Sequence, residues 1–304
     1  MTTSTARLLL IIVAALGTSA ALAAQKTYDK RLEAPPGGRL TFDADVGSVV
    51  LVGRDSPEVV IHADVQGSAS FVAGFRISAE QNSSGVTVAA HTSHRDWFGW
   101  SDWFNFGSTR VRFDLQVPRG YPVELRTSGG RIDVRGLTAS VRAATSGGSV
   151  AVQDVTGTVD AHTSGGSIEA ERLNGPTRLT TSGGGIAVTD STGDLDVHTS
   201  GGSIQIRNVD GRVAAHTSGG GIRVELRANR GVTLGTAGGS ITLRLPRDAH
   251  GSLEAATSGG RVTSDFPLTT TRTAAGNDLR GSIGGGGPPI SLHTSGGSIH
   301  IEPE

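Results

Sequence analysis

The chain has 304 residues, of which 45 are glycine, 4% are aromatic and none is cysteine. Its 27 basic and 28 acidic residues nearly cancel, which gives no general electrostatic drive towards nucleic acid or an acidic membrane surface. The lack of cysteine excludes disulfides, thiolate metal sites and a lipid-anchored cysteine, and the composition suits short strands joined by tight turns.

Residues 1–23 are predicted to be a secretory signal peptide. Arg7 is the only charged side chain, an apolar run follows from Leu8 to Leu16, and Ala21-Leu22-Ala23 offers a small-x-small cleavage site. The alternative is a transmembrane anchor, but the apolar run is too short to span about 30 Å of hydrocarbon. We therefore expect an exported protein, in the periplasm or outside the cell, with no stable membrane insertion.

The next segment, residues 24–126, alternates apolar and polar side chains in several short stretches. These stretches, at 39–42, 49–52, 59–62, 86–88 and 111–115, have the period of two that is typical of strands. We interpret them as irregular strands that begin the same sheets as the rest of the chain, rather than as a separate domain.

The aromatic residues concentrate in one stretch, 97–106, which contains all three tryptophans. Three roles are open for it: a cap over an end of the fold, a surface for a ligand or partner, or contact with a membrane. As a ligand- or partner-binding hypothesis, the candidate residues are Trp97, Phe98, Trp100, Trp103, Phe104 and Phe106.

From residue 127 to 304 the chain is a glycine-rich repeat. The motif Thr-Ser-Gly-Gly returns every 18 residues, and looser copies follow; the copies begin at Thr127, Thr145, Thr163, Thr181, Thr199, Thr217, Thr236, Thr257 and Thr294. A β-branched residue lies five positions after each threonine, and spacing by two puts further apolar columns on the same face. A constant period predicts an all-β fold: a single-domain parallel β-solenoid, or β-helix, of 18-residue coils.

The glycines of this repeat lie where the chain must reverse between strands, so we expect positive φ at the Gly-Gly pairs and at Gly157, Gly175, Gly193 and Gly211.

At this point the chain resembles a known family. An early strand reads Gly47-Ser-Val-Val-Leu-Val, the segment from Leu115 to Leu125 reads Leu-Gln-Val-Pro-Arg-Gly-Tyr-Pro-Val-Glu-Leu, and repeated Gly-Gly-x-Ile coils follow. This order is similar to that of the bacterial secreted "putative adhesin" domains, a β-solenoid family of unknown function, over residues 38–302. The resemblance implies an exported, non-catalytic envelope protein and carries over no catalytic residue.

Three ladders along the repeat are further candidates. The first consists of exposed histidines before the repeated threonine: His162, His198, His216 and His293, with His91 in a similar position. His198 and His216 occupy adjacent coils, which suits a shared divalent metal, but Ala144, Thr180, Gly235 and Ala256 interrupt the column and no carboxylate recurs beside it. We predict a solvated ladder and no metal site.

The second ladder alternates in charge through Arg142, Asp160, Arg178 and Asp196, and is predicted to fix the register of the coils. The third is the ladder of motif threonines. These residues either offer hydroxyls to a glycan or to ordered water, or bond to the backbone of the turn; turn chemistry is the prediction because they share parity with the inward columns.

Enzyme motifs do not occur in this sequence. The outward column six residues after each threonine reads Asp133, Ala151, Glu169, Ala187, Gln205, Arg223, without convergent carboxylates, and no phosphate-binding loop or Gly-x-Ser-x-Gly is present. We predict no catalytic residue, no cofactor and no nucleic-acid partner.

The predicted function is therefore an adhesin-like binding or scaffold protein of the cell envelope or exterior, with an envelope glycan or protein as its partner and an undetermined oligomeric state. The alternatives are a carbohydrate-active lyase or hydrolase on a β-helix, and a structural or signalling partner of envelope proteins.

Overall fold

The computed structural model of the protein describes residues 24–92, 109–274 and 277–304. The predicted signal peptide at 1–23 and the aromatic stretch at 97–106 lie outside the described residues.

The described chain is a single all-β domain of two long, mostly parallel sheets. One short helix, α1 (Ala69–Gly74), accompanies them, and Ser68 caps it by accepting a hydrogen bond from the Phe71 amide. The thirteen strands of sheet I follow one another in the order β1 (Ala24–Glu33), β4 (Glu58–Gly67), β7 (Arg110–Pro118), β3 (Ser48–Arg54), β9 (Ile132–Leu137), β11 (Val150–Thr156), β13 (Ile168–Asn174), β15 (Ile186–Thr192), β17 (Ile204–Asp210), β19 (Ile222–Leu226), β21 (Ile241–Leu245), β27 (Ile299–Pro303) and β23 (Val262–Ser264).

Sheet II runs alongside sheet I and contains fourteen strands. Their order is β24 (Leu268–Ala274), β25 (Asp278–Ile283), β22 (Gly251–Thr257), β26 (Pro289–Thr294), β20 (Val232–Thr236), β18 (Val213–Thr217), β16 (Leu195–Thr199), β14 (Thr177–Thr181), β12 (Val159–Thr163), β10 (Val141–Thr145), β8 (Val123–Thr127), β2 (Arg39–Ala44), β6 (Gly85–Thr92) and β5 (Phe75–Asn82).

The repeat has the predicted register, and the solenoid prediction is confirmed. Val141 lies opposite Val159 in sheet II, and Ile168 lies opposite Ile186 in sheet I, each pair parallel and 18 residues apart. The column of Ile132, Val150, Ile168, Ile186 and Ile204 is at most 2% exposed. Burying each such side chain contributes about 1.5–3 kcal/mol, and only a stacked neighbour completes the burial.

In the strands of sheet I, a ladder of residues with left-handed backbone conformation creates a further buried column that the sequence did not predict. Asp154, Arg172, Asp190 and Asn208 have φ of 54°, 52°, 54° and 58°. This local twist breaks the strand alternation, so that the following residue points inward as well. Val155, Leu173, Ser191 and Val209 are each no more than 2% exposed as a result.

The motif glycines are needed for a different reason from the one expected. Positive φ occurs at Gly157, Gly175 and Gly193, as predicted, but not at Gly211 or at most of the Gly-Gly pairs. Instead, the backbones of successive turns stack closely. A Cβ on Gly166 would lie 2.1 Å from the carbonyl oxygen of Gly148, one coil away. The second motif glycine therefore permits close stacking rather than an unusual backbone angle.

The coils at both ends of the stack do not follow chain order. The final coil, β26–β27, lies between β20–β21 and β22–β23, so the Thr294 turn stacks between those of Thr236 and Thr257. At the other end, β2–β3 lies between β8–β9 and β6–β7. The coil that comes first in the sequence, β2–β3, and the coil that comes last, β26–β27, therefore each lie one position inside an end of the stack. Each is enclosed between two neighbouring coils.

In the described residues, antiparallel strands cover three of the four outer edges of the parallel coils, and β23 is the uncovered edge. β4 and β1 extend sheet I beyond β7, β5 extends sheet II beyond β6, and β25 and β24 extend sheet II beyond β22. Large side chains fill the N-terminal end of the core, where the rings of Phe42 and Phe113 pack edge to face with centroids 4.9 Å apart. This arrangement shields parallel edges that would otherwise be open for association.

A pair of alanine substitutions tests the stacking of the turns. Gly166→Ala should lower the free energy of unfolding by about 3 kcal/mol, because its Cβ would collide with backbone that has no room to retreat. Gly165→Ala is the matched control: its nearest neighbour would be 3.5 Å away, so its effect should stay within about 1 kcal/mol. Urea unfolding of both variants measures the difference, and equal effects would contradict close stacking as the reason for the second glycine.

Candidate functional site

The described strands on either side of the aromatic stretch are β6 and β7. β6 ends with His91-Thr92 and β7 begins at Arg110, so the residues between them occupy the place in the sequence that the Thr-Ser-Gly-Gly motif takes in the coils from Thr127 onward. Asp45 holds the last two residues of β6 in place. It accepts a hydrogen bond from the Thr92 amide at 2.8 Å and lies 2.9 Å from His91 Nδ1. Although partial burial opposes ionisation, these bonds to His91 and Thr92 lower the pKa of Asp45.

The charge ladder on the outer face of sheet II forms the pairs that its alternation predicts. Arg142 lies 3.4 Å from Asp160, and Arg178 lies 2.9 Å from Asp196. A similar pair on the left-handed ladder joins Arg172 to Asp154 at 2.6 Å, and this hydrogen bond lowers the pKa of Asp154. All these side chains are well exposed, so each pair contributes about 0–1 kcal/mol and serves mainly to set register.

A shallow groove of about 230 Å³ crosses the same face near the N-terminal end. Its lining includes Arg39, Glu124, Arg142 and Asp160. Arg142 pairs with Asp160, and Glu124 pairs with Arg126, so three of these four charged groups already have partners. The groove therefore offers a polar, charge-balanced contact surface.

The histidine ladder lies on the outer face, as predicted. His198 and His216 are direct neighbours in the parallel register, and His162, His198 and His293 are exposed. His216 is half-buried and faces Gly235, where a Cβ would lie 2.7 Å from its Nδ1. In the residues that the structure describes, this ladder is not part of any group of three possible metal ligands.

The motif threonines are buried structural groups, which confirms turn chemistry as their role. Thr199 is fully buried; its Oγ1 donates to the carbonyl of Gly184 in the preceding coil at 2.8 Å and accepts from the amide of Gly202 at 3.4 Å. The same pair of bonds recurs in neighbouring coils from Thr145 onward. These hydroxyls are consequently not available to a glycan or to bulk water.

The column of residues six positions after each motif threonine contains one buried acid. Asp133 is 7% exposed because Arg135 binds it at 2.7 Å and Arg131 lies 3.9 Å away. Ala151, its neighbour in register, is also buried, so the expectation of an exposed column fails at these two positions. Asp133 is held as the centre of an arginine cluster.

One group of possible metal ligands was missed by the sequence reasoning. Among the described residues, Asp265, His300 and Glu302 bring one donor atom each within 4.8 Å of the others. Asp265 follows β23, whereas His300 and Glu302 belong to β27, and the two strands meet only because the last coil inserts out of order. The alternation His300-Ile301-Glu302 places two of the donors on one face and was the only signal in the sequence.

No helix in the described ranges combines the length and apolar character needed to cross a membrane.

Fold and surface together define an elongated parallel β-solenoid with two exposed, polar, repetitive faces. The chain belongs to the family described as Toastrack DUF4097, whose model matches residues 39–302. No curated protein matches the chain.

Among the solved structures that are similar to the chain are three from bacteria. A "putative cell adhesion protein" from Clostridium sporogenes ATCC 15579 has 13% identity and a TM-score of 0.26, with 92% of this chain and 100% of that chain covered. A "putative adhesin" from Bacteroides fragilis NCTC 9343 has 12% identity and a TM-score of 0.36, with 92% and 97% covered. Another "putative adhesin", from Parabacteroides merdae ATCC 43184, has 10% identity and a TM-score of 0.38, with 92% and 96% covered.

The role of the threonine hydroxyl can be tested in the middle of the stack. Thr199→Val should lower the free energy of unfolding by about 1–3 kcal/mol, since it leaves the half-buried carbonyl of Gly184 and amide of Gly202 without this partner. Thr180→Val, on the half-buried outer face of the adjacent coil, is the control and should change it by no more than about 0.5 kcal/mol. Thermal and urea unfolding report the difference; a Thr199→Val variant as stable as the control would show that the hydroxyl is dispensable.

Proposed function

We propose that this chain is a non-catalytic, adhesin-like binding or scaffold protein that acts at the cell surface or elsewhere in the envelope. The observation that carries the proposal is the repetition of the outer faces. Equivalent positions on neighbouring strands lie about 4.8 Å apart, so polar side chains form continuous columns along the stack. A surface of this kind suits an extended partner that touches several coils at once.

The pairing of charges on these faces supports binding rather than bond cleavage. Arg142, Arg172 and Arg178 each hold an aspartate of a neighbouring coil. A glycosidase needs two carboxylates that flank the scissile bond with pKa values driven apart, whereas hydrogen bonding to Arg172 lowers the pKa of Asp154. Such acids are suited to fixing the register of a surface.

The aromatic residues Trp97, Trp100 and Trp103 are the proposed principal contact. Tryptophan rings stack on sugar faces and fill pockets in protein partners, and three of them within seven residues concentrate that capacity. The described strands on either side of this stretch, β6 and β7, form the outermost parallel coil of the N-terminal end. The proposed partner is an envelope glycan or an envelope protein.

The test is a binding assay of the purified protein on separated glycan and protein fractions of its own cell envelope. The Trp97/Trp100/Trp103→Ala variant removes the proposed contact, and the His162/His198/His216→Ala variant changes the flat outer face of sheet II instead. Far-UV circular dichroism and thermal melts establish that both variants fold. We expect the wild type and the histidine variant to bind one fraction and the tryptophan variant to lose at least tenfold in affinity.

The remaining outcomes separate the alternatives. If only the histidine variant loses binding, the contact lies on the flat outer face of sheet II. The proposed binding role then stands, with that face as the contact instead of the tryptophans. Release of sugar fragments from the glycan fraction would contradict a non-catalytic role. Failure of the wild type to bind either fraction would contradict the adhesin-like function as a whole.

A further inference from the structure

The C-terminal end of the stack places three metal-binding side chains together on the outer face of sheet I. β23, the edge strand, pairs with β27 in parallel, and the Asp265 amide donates to the carbonyl of Ile301 at 2.9 Å. This bond holds Asp265 beside the stretch that carries His300 and Glu302. Ile299 and Ile301 are fully buried, so the alternating side chains of His300 and Glu302 both face outward.

The three donor atoms lie close together, all within 4.8 Å of one another. His300 Nε2 lies 3.1 Å from Glu302 Oε2 and 3.6 Å from Asp265 Oδ2. A tetrahedral zinc ion holds nitrogen and oxygen ligands at about 2.0–2.2 Å, which corresponds to ligand–ligand edges of about 3.3–3.6 Å. A metal can therefore enter between these three atoms after small side-chain adjustments.

A contact behind the imidazole favours the tautomer that a metal requires. Thr263 Oγ1 lies 2.9 Å from His300 Nδ1 and donates to the carbonyl of Ile299 at 3.4 Å. A hydroxyl that donates to this carbonyl accepts a hydrogen bond from Nδ1–H, which leaves the Nε2 lone pair directed at the carboxylates. Histidine ligands of metal sites commonly have such a partner on the other ring nitrogen.

A contact behind Glu302 orients its carboxylate. Arg244, on the adjacent strand β21, donates to Oε1 at 2.5 Å and leaves Oε2 free to face His300. The side chains of Glu302 and His300 are 23% and 38% exposed, so an ion from solvent can reach them.

We propose that Asp265, His300 and Glu302 bind one divalent transition-metal ion, with zinc as the preferred ion. One imidazole nitrogen and two carboxylate oxygens suit zinc, whereas calcium and magnesium prefer sites made of oxygen alone. Three protein ligands leave a position for water or for an acidic group of a partner. The ion joins the edge coil to the inserted last coil, so it stabilises the C-terminal end of the stack.

A direct ion pair between protonated His300 and the two carboxylates is the competing account. It uses the same distances but requires no metal, so the two accounts differ in their dependence on added zinc.

Calorimetric titration of the whole, tag-free, EDTA-treated protein with zinc chloride at pH 7.5 tests the proposal. We expect one ion per chain and a rise in Tm with zinc, because an ion that binds only the folded state stabilises it. His300→Gln and Asp265→Asn should each bind at least tenfold more weakly and lose the rise in Tm. His293→Gln, a change to an exposed histidine on β26 of the same coil, is the matched control and should behave as wild type.

Thr263→Val provides a variant that keeps all three ligands. It should weaken zinc binding by about tenfold to a hundredfold, which is typical of losing a partner behind a histidine ligand. It is also the informative variant if His300→Gln does not fold. Absence of binding to the wild type, or equal binding by the His300→Gln and His293→Gln variants, would overturn the proposal in favour of the ion pair. An equal rise in Tm with calcium chloride would overturn the choice of a transition metal.

Discussion

The structure depends on one contact between successive coils, made at the turn by a buried threonine and a closely stacked glycine. Thr163, for example, donates to the carbonyl of Gly148 at 2.7 Å, while Gly166 brings its backbone against the same residue. This contact fixes both the distance and the register between coils. Once the register is set, the isoleucine and valine columns align in the interior and the charged columns align outside. These aliphatic columns fill the interior of the repeat, so large aromatic side chains are needed only at the ends of the stack.

The ends of such a stack need a different solution, because a repeat offers the same open edge wherever it stops. Here, at each end of the stack, one coil lies between two coils that are not its neighbours in the sequence on both sides. β27 is enclosed by β21 and β23, and β3 by β9 and β7. Antiparallel strands then cover most of the outer edges. Both functional proposals concern these ends. In the sequence, the aromatic stretch lies between the two strands of one terminal coil, β6 and β7, and the proposed zinc site joins β23 and β27 at the other end.

The sequence was sufficient to predict the parts that repeat. The 18-residue interval predicted parallel pairing such as Val141 with Val159, and the parity of the columns predicted the buried Ile204 and the exposed His198. It was insufficient where strand pairing departs from chain order: nothing near Asp265 indicates that His300 will lie beside it. Nor does the identity of Arg172 suggest a left-handed conformation, since glycine, asparagine and aspartate are the residues expected there. Asp154, Asp190 and Asn208 fit that expectation, although it was not applied to them from the sequence.

The most direct test of the account is the removal of one whole coil, residues 181–198, compared with removal of residues 181–189. Excision of a full coil brings Thr199 onto the Thr163 turn and preserves the buried columns, so the shortened protein should unfold cooperatively in urea with a slightly smaller slope. Excision of nine residues places a strand of one sheet where the other sheet requires it, so that variant should not fold. Equal loss of structure in both variants would contradict a stack of interchangeable 18-residue coils.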